Sequence, residues 1–135
     1  MLIHCPKKLN DYYDNTYTGF QSGDKMLGVG YEVNGKIVCC MLYEKYTGTD
    51  ITVHVAIDYP HPIWVRECIH LLFNVLGVRR ISAPIRESNT KAVRFAKALG
   101  AVLECTIVDA FPDDNMLLFV VWESNSVIKR LRKIS

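Results

Sequence analysis

The chain has 135 residues, of which half are hydrophobic and 22% are charged, with a formal net charge of +2. This length suits one domain with its own core, and the balance is that of a globular rather than a disordered protein. So small a net charge does not by itself indicate a nucleic-acid-binding protein. The sequence therefore predicts a single globular domain over residues 1–135.

The N-terminal residues, the apolar runs and the cysteines indicate the cellular compartment. Pro6, Lys7 and Lys8 interrupt the first residues too early for the apolar segment of a signal peptide. The longest apolar runs, Ile37–Tyr43 and Met116–Trp122, are too short to span a bilayer. None of the five cysteines forms a Cys-x-x-Cys pair or has the spacing of a metal ligand set. We therefore expect reduced cysteines acting as small core residues, no metal site, no membrane segment and a cytoplasmic location.

The N-terminal half predicts antiparallel strands. A short strand near Leu2–His4 and a helix-and-loop segment over Asp11–Phe20 come first. Three strands are then predicted, over Met26–Val33, Lys36–Glu44 and Ile51–Ile57. Asn34-Gly35 suits the two positive-φ positions of a type I′ turn and joins the first two of these strands as a hairpin.

The C-terminal half alternates helices and strands. A helix is predicted over Pro62–Leu76, a strand over Val78–Ile85, and a second helix over Asn89–Leu99 with Ser88 as its N-cap. Val102–Ala110 and Met116–Glu123 then form a hairpin around the turn 111–115, and Ser126–Ile134 forms a short basic helix that turns Lys129, Arg130, Arg132 and Lys133 outward. Since a strand-helix-strand connection within one sheet makes its strands parallel, we predict an α/β fold with a mixed sheet.

Several segments together resemble the GNAT acetyltransferase superfamily. The clearest is Ser88–Ala101, where Asn-x-x-Ala, a helical run and Leu-Gly lead into a new strand. Thr49–Ala56, Trp64–Glu67 and Leu76–Arg80 match in order and spacing, and the match covers roughly residues 26–123. The whole is similar to the acetyltransferase-like proteins that tailed phages often encode. The resemblance implies a GNAT fold with antiparallel N-terminal strands, a parallel strand-helix-strand unit, a second helix and a C-terminal hairpin.

The resemblance also implies an acyl-CoA site. The strand over residues 51–57 is expected to splay from the strand over 79–85, the pantetheine arm to enter the split, and the pyrophosphate to lie on backbone N–H groups at residues 60–66. Acetyl-CoA or another acyl-CoA is the expected co-substrate. The cofactor-binding residues that this predicts are Val55, Ala56, Ile57, His61, Ile63, Trp64, Val65, Arg66 and Asn89. Asn89 could equally stabilise the helix start, and the two roles are compatible.

The chain departs from the family in two places. The phosphate loop Asp58–Val65 contains no glycine, and Pro60 and Pro62 remove two N–H donors. In the second helix, Ala96 occupies the position where many relatives have a tyrosine that protonates the leaving thiolate. Pro84, which cannot donate to a sheet ladder, suits either a position facing the split or a bulge or strand end.

Three residues are candidates for the catalytic chemistry: His54, Tyr59 and Glu44. His54 lies in mid-strand beside the predicted split and has a pKa range suited to proton transfer, although a hydrogen-bonded structural histidine is the alternative. Glu44 ends a strand nearby, where a solvated role is the alternative, and Tyr59 could donate a proton or pack at the rim. Five cationic residues could lie near phosphates or on solvated faces: Arg79, Arg80, Arg86, Lys91 and Arg94.

The sequence leaves three functional hypotheses. The first is an N-acyltransferase that moves an acetyl group from acetyl-CoA to an amine of a small molecule or a protein, by direct transfer in a ternary complex. The second is a non-catalytic GNAT-fold interaction protein of a phage virion, which Ala96 and the glycine-free loop favour. The third is a phage DNA-modifying relative, for which the basic C-terminal helix is the sequence support. A homodimer is a further prediction, because the apolar final strands could pair between subunits.

Overall fold

A computed structural model of the chain describes residues 1–16 and 26–134. Its strands are β1 Leu2–Ile3, β2 Leu27–Val33, β3 Lys36–Glu44, β4 Asp50–Ile57, β5 Arg80–Arg86, β6 Val102–Phe111 and β7 Asp114–Trp122. Its α-helices are α1 Pro6–Thr16, α2 Pro62–Ile69, α3 Thr90–Ala98 and α4 Ser126–Ile134, and a π-helical segment, His70–Val75, continues α2. The strands form one sheet in the order β1-β2-β3-β4-β5-β7-β6.

The sheet is mixed, as the sequence predicted. Only the central pair β4–β5 is parallel; the other neighbouring pairs are antiparallel. The connection through α2 makes this pair parallel, because both strands then run the same way along the sheet. The predicted turn between β2 and β3 is confirmed, with Asn34 at φ 51° and Gly35 at φ 80°. These features confirm the predicted fold class.

The helices cover both faces of the sheet. Trp64, Ala96 and Ile128, from α2, α3 and α4, share one core with inward residues of the strands. On the other face, Leu9 and Tyr13 of α1 pack in a second, smaller core. Residues along a strand alternate between these faces. A side chain of β4 or β5 therefore points either to the α2–α3 face or to the α1 face.

The two ends of the chain differ from the sequence predictions. The first helix begins at Pro6, not Asp11, because Pro6 is tolerated in a first turn where its missing N–H costs nothing. Residues 17–20 of the predicted segment lie outside the described residues. At the other end, Arg132 is only partly exposed: its guanidinium donates to Asn74 and lies 3.6 Å from the Glu123 carboxylate, which ties α4 to the π-helical segment and to the end of β7.

Four internal boundaries also require correction. The helix predicted over 62–76 is α-helical only to Ile69, and its last turns are π-helical. The N-cap of α3 is Asn89 rather than Ser88, because the Asn89 side chain accepts the Ala92 N–H whereas the Ser88 hydroxyl bonds the Asp114 carboxylate. The final turn is shorter than 111–115, since Phe111 and Asp114 already pair. The predicted strand over 78–85 starts at Arg80.

The cysteine prediction is confirmed for three of the five residues. Cys39, Cys40 and Cys68 are buried, and burial raises the pKa of the Cys39 thiol to about 11. Cys5 and Cys105 are exposed, so for these two the expectation of a core role was wrong. Within the described residues, no helix is long and apolar enough to cross a membrane.

Candidate acyl-transfer site

The site begins where β4 and β5 part. The two strands pair over three residues only, ending at Thr52 opposite Ser82, although β4 runs on to Ile57 and β5 to Arg86. The sheet is therefore open between the last five residues of β4 and the last four of β5. This is the split that the sequence predicted.

Pro84 lies on the open side of β5. The β5–β7 ladder passes through Pro84 without a register shift, so the alternative of a bulge or strand end was wrong. Two bonds at its ends, Glu123 N–H to the Arg79 carbonyl and Glu87 N–H to the Asn115 carbonyl, show that odd-numbered residues of β5 bond β7. Since N–H directions alternate along a strand, the Pro84 nitrogen faces β4. Pro84 therefore lacks an N–H at a position where β4 and β5 no longer pair.

The backbone of β4 offers polar groups to this opening. The Asp58 N–H bonds the Val38 carbonyl on β3, so even-numbered residues at this end of β4 direct their N–H and C=O groups toward β3. The groups of Val55 and Ile57 consequently point toward the split. Ala56 belongs to the opposite set, and its side chain is fully buried on the α1 face. Of the three β4 residues predicted to bind cofactor, two therefore present backbone groups to the opening.

Two cavities meet at the split. The first, here the helix-side cavity, measures about 50 Å³ and is enclosed by apolar side chains of β4, β5, α2 and α3. The second, the α1-side cavity, measures about 60 Å³ and lies on the opposite face of the sheet. It is lined by Tyr13, His54, Val55, Pro84, Ile85, Arg86, Asn89, Ala92, Phe111 and Met116. Val55, Ile85 and Ala92 line both cavities, so the two cavities adjoin at the opening.

His54 and Glu44 come together on the α1 face. The Nε2 atom of His54 lies 2.6 Å from a carboxylate oxygen of Glu44, and His54 is only 8% exposed. The Tyr13 ring meets the imidazole edge-on at 6.2 Å between centroids. A carboxylate on Nε2 fixes the ring orientation and favours the tautomer with the lone pair on Nδ1. The pair can therefore accept a proton in the cavity that His54 lines.

Tyr59 lies apart from this pair. It is 48% exposed in the loop after β4, its ring meets His61 at 5.8 Å, and it lines neither cavity. The structure thus brings together two of the three catalytic candidates.

The start of α2 has few donors left for an anion. The His61 ring caps the helix by accepting the Ile63 N–H at 3.2 Å, and it stacks on Tyr31 at 3.8 Å. The N–H groups of Asp58 and Tyr59 bond the Val38 carbonyl, and that of His61 bonds the Cys39 sulfur.

The remaining backbone groups of this segment leave one donor. Pro60 and Pro62 have no N–H. The Trp64 N–H precedes the first intrahelical bond, which Val65 makes to the His61 carbonyl. It is therefore the one donor of residues 58–65 without an identified bond, where an ordinary helix start offers several.

The other residues predicted at this loop have separate placements. The Trp64 indole is buried and donates to the Val29 carbonyl at 2.8 Å, and Val65 lines the helix-side cavity. Ile63 and Arg66 are exposed and line a shallow surface groove instead. Asn89 caps α3 through its side-chain oxygen, which confirms the helix-start role, and it also lines the α1-side cavity.

Two of the five cationic candidates lie near this loop. Lys91 and Arg94, both exposed on α3, line a groove with Pro60 and with Asp58, whose carboxylate accepts the Tyr12 hydroxyl. Positive charge is thus available where backbone donors are scarce. Arg80 is instead held at the paired end of the split by Asp50 and Glu104.

Arg86 lies in the α1-side cavity rather than near the loop. The position of Arg86 follows from the sequence. Ala83 and Ile85 point into the core on the helix side of the sheet, and because side chains alternate along a strand, Arg86 points to the α1 face. Among the described residues there is no cluster of three or more potential metal ligands.

Comparisons with known proteins agree with the fold described above. No protein-family model and no curated protein matches the sequence. Among solved structures, Ard1 from Thermoplasma volcanium is 18% identical, with a TM-score of 0.66 over 89% of this chain and 95% of that one. A ribosomal-protein alanine N-acetyltransferase from Escherichia coli is 14% identical (TM-score 0.68, 93% and 96% covered). A variant of the spermidine N-acetyltransferase SpeG from Vibrio cholerae is 12% identical (TM-score 0.69, 96% and 98% covered). At these identities the likeness shows the fold, which is that of GNAT acetyltransferases.

Proposed function

We propose that the chain is an acyl-CoA-dependent N-acyltransferase that moves an acetyl group to an amine. The observation that carries the proposal is the opening after Thr52 and Ser82, where two cavities on opposite faces of the sheet share Val55, Ile85 and Ala92. A donor arm that enters from one face can meet an acceptor on the other only through such an opening. The fold similarity to N-acetyltransferases supports the proposal.

The residues of the split fit the pantetheine part of acetyl-CoA. The backbone groups of Val55 and Ile57 face an opening in which Pro84 provides no competing donor, and apolar side chains line the helix-side cavity. For the phosphates the fit depends on side chains: Lys91 and Arg94 in the groove, with the Trp64 N–H as the remaining backbone donor.

The catalytic residues of the proposal lie on the α1 face. When bound, acetyl-CoA supplies a thioester whose acyl group passes to the amine and whose thiolate leaves. His54 takes the proton that the amine loses as its nitrogen bonds the acyl carbon, directly or through a water, and Glu44 positions the ring and stabilises its charge. A β4 N–H, that of Val55 or Ile57, stabilises the charge that develops on the carbonyl oxygen.

The missing tyrosine is compatible with this chemistry. Ala96 is buried and lines the helix-side cavity, so no side chain there donates a proton to the leaving sulfur. A thiol has a pKa near about 8.5, so a thiolate is an acceptable leaving group near neutral pH. Tyr59 is not needed for this step.

A turnover assay tests the proposal. The purified protein, acetyl-CoA and a panel of amines are combined, and the release of free thiol and the acetylated product are both measured. We expect amine-dependent thiol release that His54→Gln lowers by at least about 100-fold while His70→Gln, on the exposed start of the π-helical segment, leaves it unchanged. Thiol release that no amine accelerates would contradict the proposal.

A second candidate is a GNAT-fold interaction protein without catalysis. The observation that favours it is the start of α2, where the chain's own groups occupy the donors on which phosphates would lie. It predicts that acetyl-CoA at millimolar concentration leaves the thermal unfolding temperature unchanged. Under the acyltransferase proposal, a ligand at about 100 times its Kd adds about 2.7 kcal/mol and raises that temperature.

The remaining predictions concern context and partners. A phage origin, a cytoplasmic location, a homodimer through the final strands and DNA modification all stay predictions. For DNA, the outward cations of α4 are Lys129, Arg130 and Lys133. Binding to duplex DNA at low salt that weakens steeply as salt is raised would support that hypothesis.

A further inference from the structure

The helices on one side of the sheet concentrate the positive charge of the chain. α2, α3 and α4 contribute to the same core and together contain eight lysines and arginines but one acid, Glu67. Their net charge is +7, whereas the whole chain carries +2, so the remaining residues together carry −5. Positive charge is therefore segregated to the side of the sheet that these helices cover.

Most of these cations have no partner within the chain. Arg132 is bound by Asn74 and Glu123, and Lys91 and Arg94 line the groove beside the loop before α2. Five exposed cations remain outside that groove: Arg66, Lys97, Lys129, Arg130 and Lys133. These five are called the basic face. Within residues 1–16 and 26–134, no acidic side chain forms an ion pair with any of them.

The spacing of these cations is unfavourable for the isolated helices. Lys129 and Lys133 are four residues apart on α4, and Arg130 and Lys133 are three apart, so both pairs are neighbours of like charge on the helix surface. The helix dipole favours Lys133 in the last turn, but it does not favour Lys129 and Arg130 in the middle of the helix. A bound polyanion would relieve this repulsion.

A lipid surface and a protein partner fit the basic face poorly. The apolar side of α4 cannot enter a bilayer, because Ile128 is fully buried and Leu131 packs on the core. A protein interface needs apolar or aromatic anchors. Among the described side chains of α2, α3 and α4, Ile63 is the one exposed large hydrophobic residue.

A nucleic-acid duplex fits the basic face better than a single strand. Proteins bind single strands largely by stacking bases on aromatic side chains, and none of the described side chains of α2, α3 and α4 is an exposed aromatic. A duplex presents a regular array of phosphates that lysine and arginine contact without apolar anchors. The charge and the chemistry of the face therefore match a duplex backbone.

We propose that the basic face binds the phosphate backbone of a nucleic-acid duplex without reading its sequence. The face lies on the helix side of the sheet, whereas His54 lines the cavity on the α1 side. The duplex is consequently a docking partner rather than the acceptor of the acyl group. This inference goes beyond the proposed function and does not depend on it.

The test is fluorescence anisotropy with a labelled DNA duplex of mixed sequence, titrated between about 50 and 200 mM salt. Five phosphate contacts predict that the logarithm of the binding constant falls with the logarithm of the salt concentration with a slope of about −4. Replacing Lys129, Arg130 and Lys133 together by Gln, which keeps helix propensity, should bring the slope to about −2 and weaken binding at low salt at least about tenfold.

A second triple variant separates the basic face from net charge. Lys8, Lys36 and Lys45 are exposed, form no ion pair among the described residues and lie outside the three helices. Replacing these three by Gln removes the same charge and should leave the slope within about one unit of the wild type. Equal losses in the two triple variants would overturn the basic face as a site.

A single substitution covers the case in which the triple variant of α4 does not fold. Arg130→Gln removes one cation and should reduce the magnitude of the slope by about 1. An unchanged slope and affinity in this variant would overturn the participation of α4.

Two other ligands test the choice of a duplex. The same anisotropy assay uses a single strand of the same sequence, and co-sedimentation uses vesicles that contain phosphatidylserine. Tighter binding to either than to the duplex would overturn the proposal. Absence of duplex binding at about 50 mM salt would also overturn it, while leaving the acyltransferase proposal standing.

A last measurement distinguishes docking from modification. His54→Gln should bind the duplex as tightly as the wild type, and the duplex should keep its mass after incubation with the protein and acetyl-CoA. A duplex that gains the mass of an acetyl group would make nucleic acid the acceptor and overturn the docking role.

Discussion

The split between β4 and β5 and the start of α2 are adjacent parts of the proposed site, yet they differ in what they leave open. At the split, three paired residues are followed by free backbone groups and two adjoining cavities. At the start of α2, prolines, a histidine cap and bonds to β3 use almost every donor. The opening at the split follows from the topology of the sheet, whereas the shortage of donors at the start of α2 follows from the local sequence. Under the proposed function, the fold would keep the slot for the acyl donor while side chains, rather than the start of α2, would bind its phosphates.

The largest expected effect is at the split. His54→Gln removes the group that accepts the amine proton, and we expect kcat to fall by about 100- to 10,000-fold, the range of general acid–base catalysis. The measurement is steady-state turnover with acetyl-CoA at saturation. The KM for acetyl-CoA should stay within about twofold, since His54 lies on the opposite face from the helix-side cavity. An unchanged kcat would exclude His54 as the base.

Glu44 should have a smaller effect of the same kind. Glu44→Gln keeps an oxygen beside Nε2 of His54 but removes the negative charge, so we expect kcat to fall about tenfold. KM for acetyl-CoA should again be unchanged, and the double variant with His54→Gln should be no worse than His54→Gln alone. Additive losses would show that Glu44 acts independently of His54.

The groove lined by Lys91 and Arg94 should respond in the opposite manner. Replacing Lys91 and Arg94 together by Gln removes the two cations beside Pro60, and we expect KM for acetyl-CoA to rise about tenfold with kcat preserved. Lys97→Gln, an exposed lysine on the same helix outside the groove, is the matched control. If Lys97→Gln raised KM as much, a general effect of surface charge would replace a specific site.

The smallest expected effect is at the start of α2, where the His61 cap can be removed. His61→Ala frees the Ile63 N–H, and we expect KM for acetyl-CoA to fall about two- to threefold because the helix start gains a donor. The same change should lower the free energy of unfolding by about 1 kcal/mol through loss of the cap. His61→Asn, which keeps a capping acceptor, should restore the stability and the wild-type KM. A higher KM in His61→Ala would mean that the imidazole itself contacts the ligand.

Topology was the most predictable level. The order of the strands and the helix between β4 and β5 fix a parallel pair, and the resemblance placed the split at its end. The face of the sheet on which Arg86 lies could also be predicted, because the buried residues Ile81, Ala83 and Ile85 set the alternation of β5.

Contacts that depend on orientation were not predictable. His54 and Glu44 were both candidates, but their meeting depends on the register across the 45–49 turn, where Lys45 adopts φ 57°. The cap by His61 needs a ring held on Tyr31, a contact between residues 30 positions apart. The start of α1 was missed because Leu9 and Asn10, the fully buried residues of that helix, precede the predicted segment Asp11–Phe20.

The most direct test of the central claim is calorimetric titration of acetyl-CoA into the wild-type protein and into the variant with Lys91 and Arg94 replaced by Gln. If the split holds the donor and these cations hold its phosphates, acetyl-CoA binds the wild type saturably with one site per chain, and the variant binds about tenfold more weakly. Absence of saturable binding to the wild type at millimolar acetyl-CoA would contradict the account.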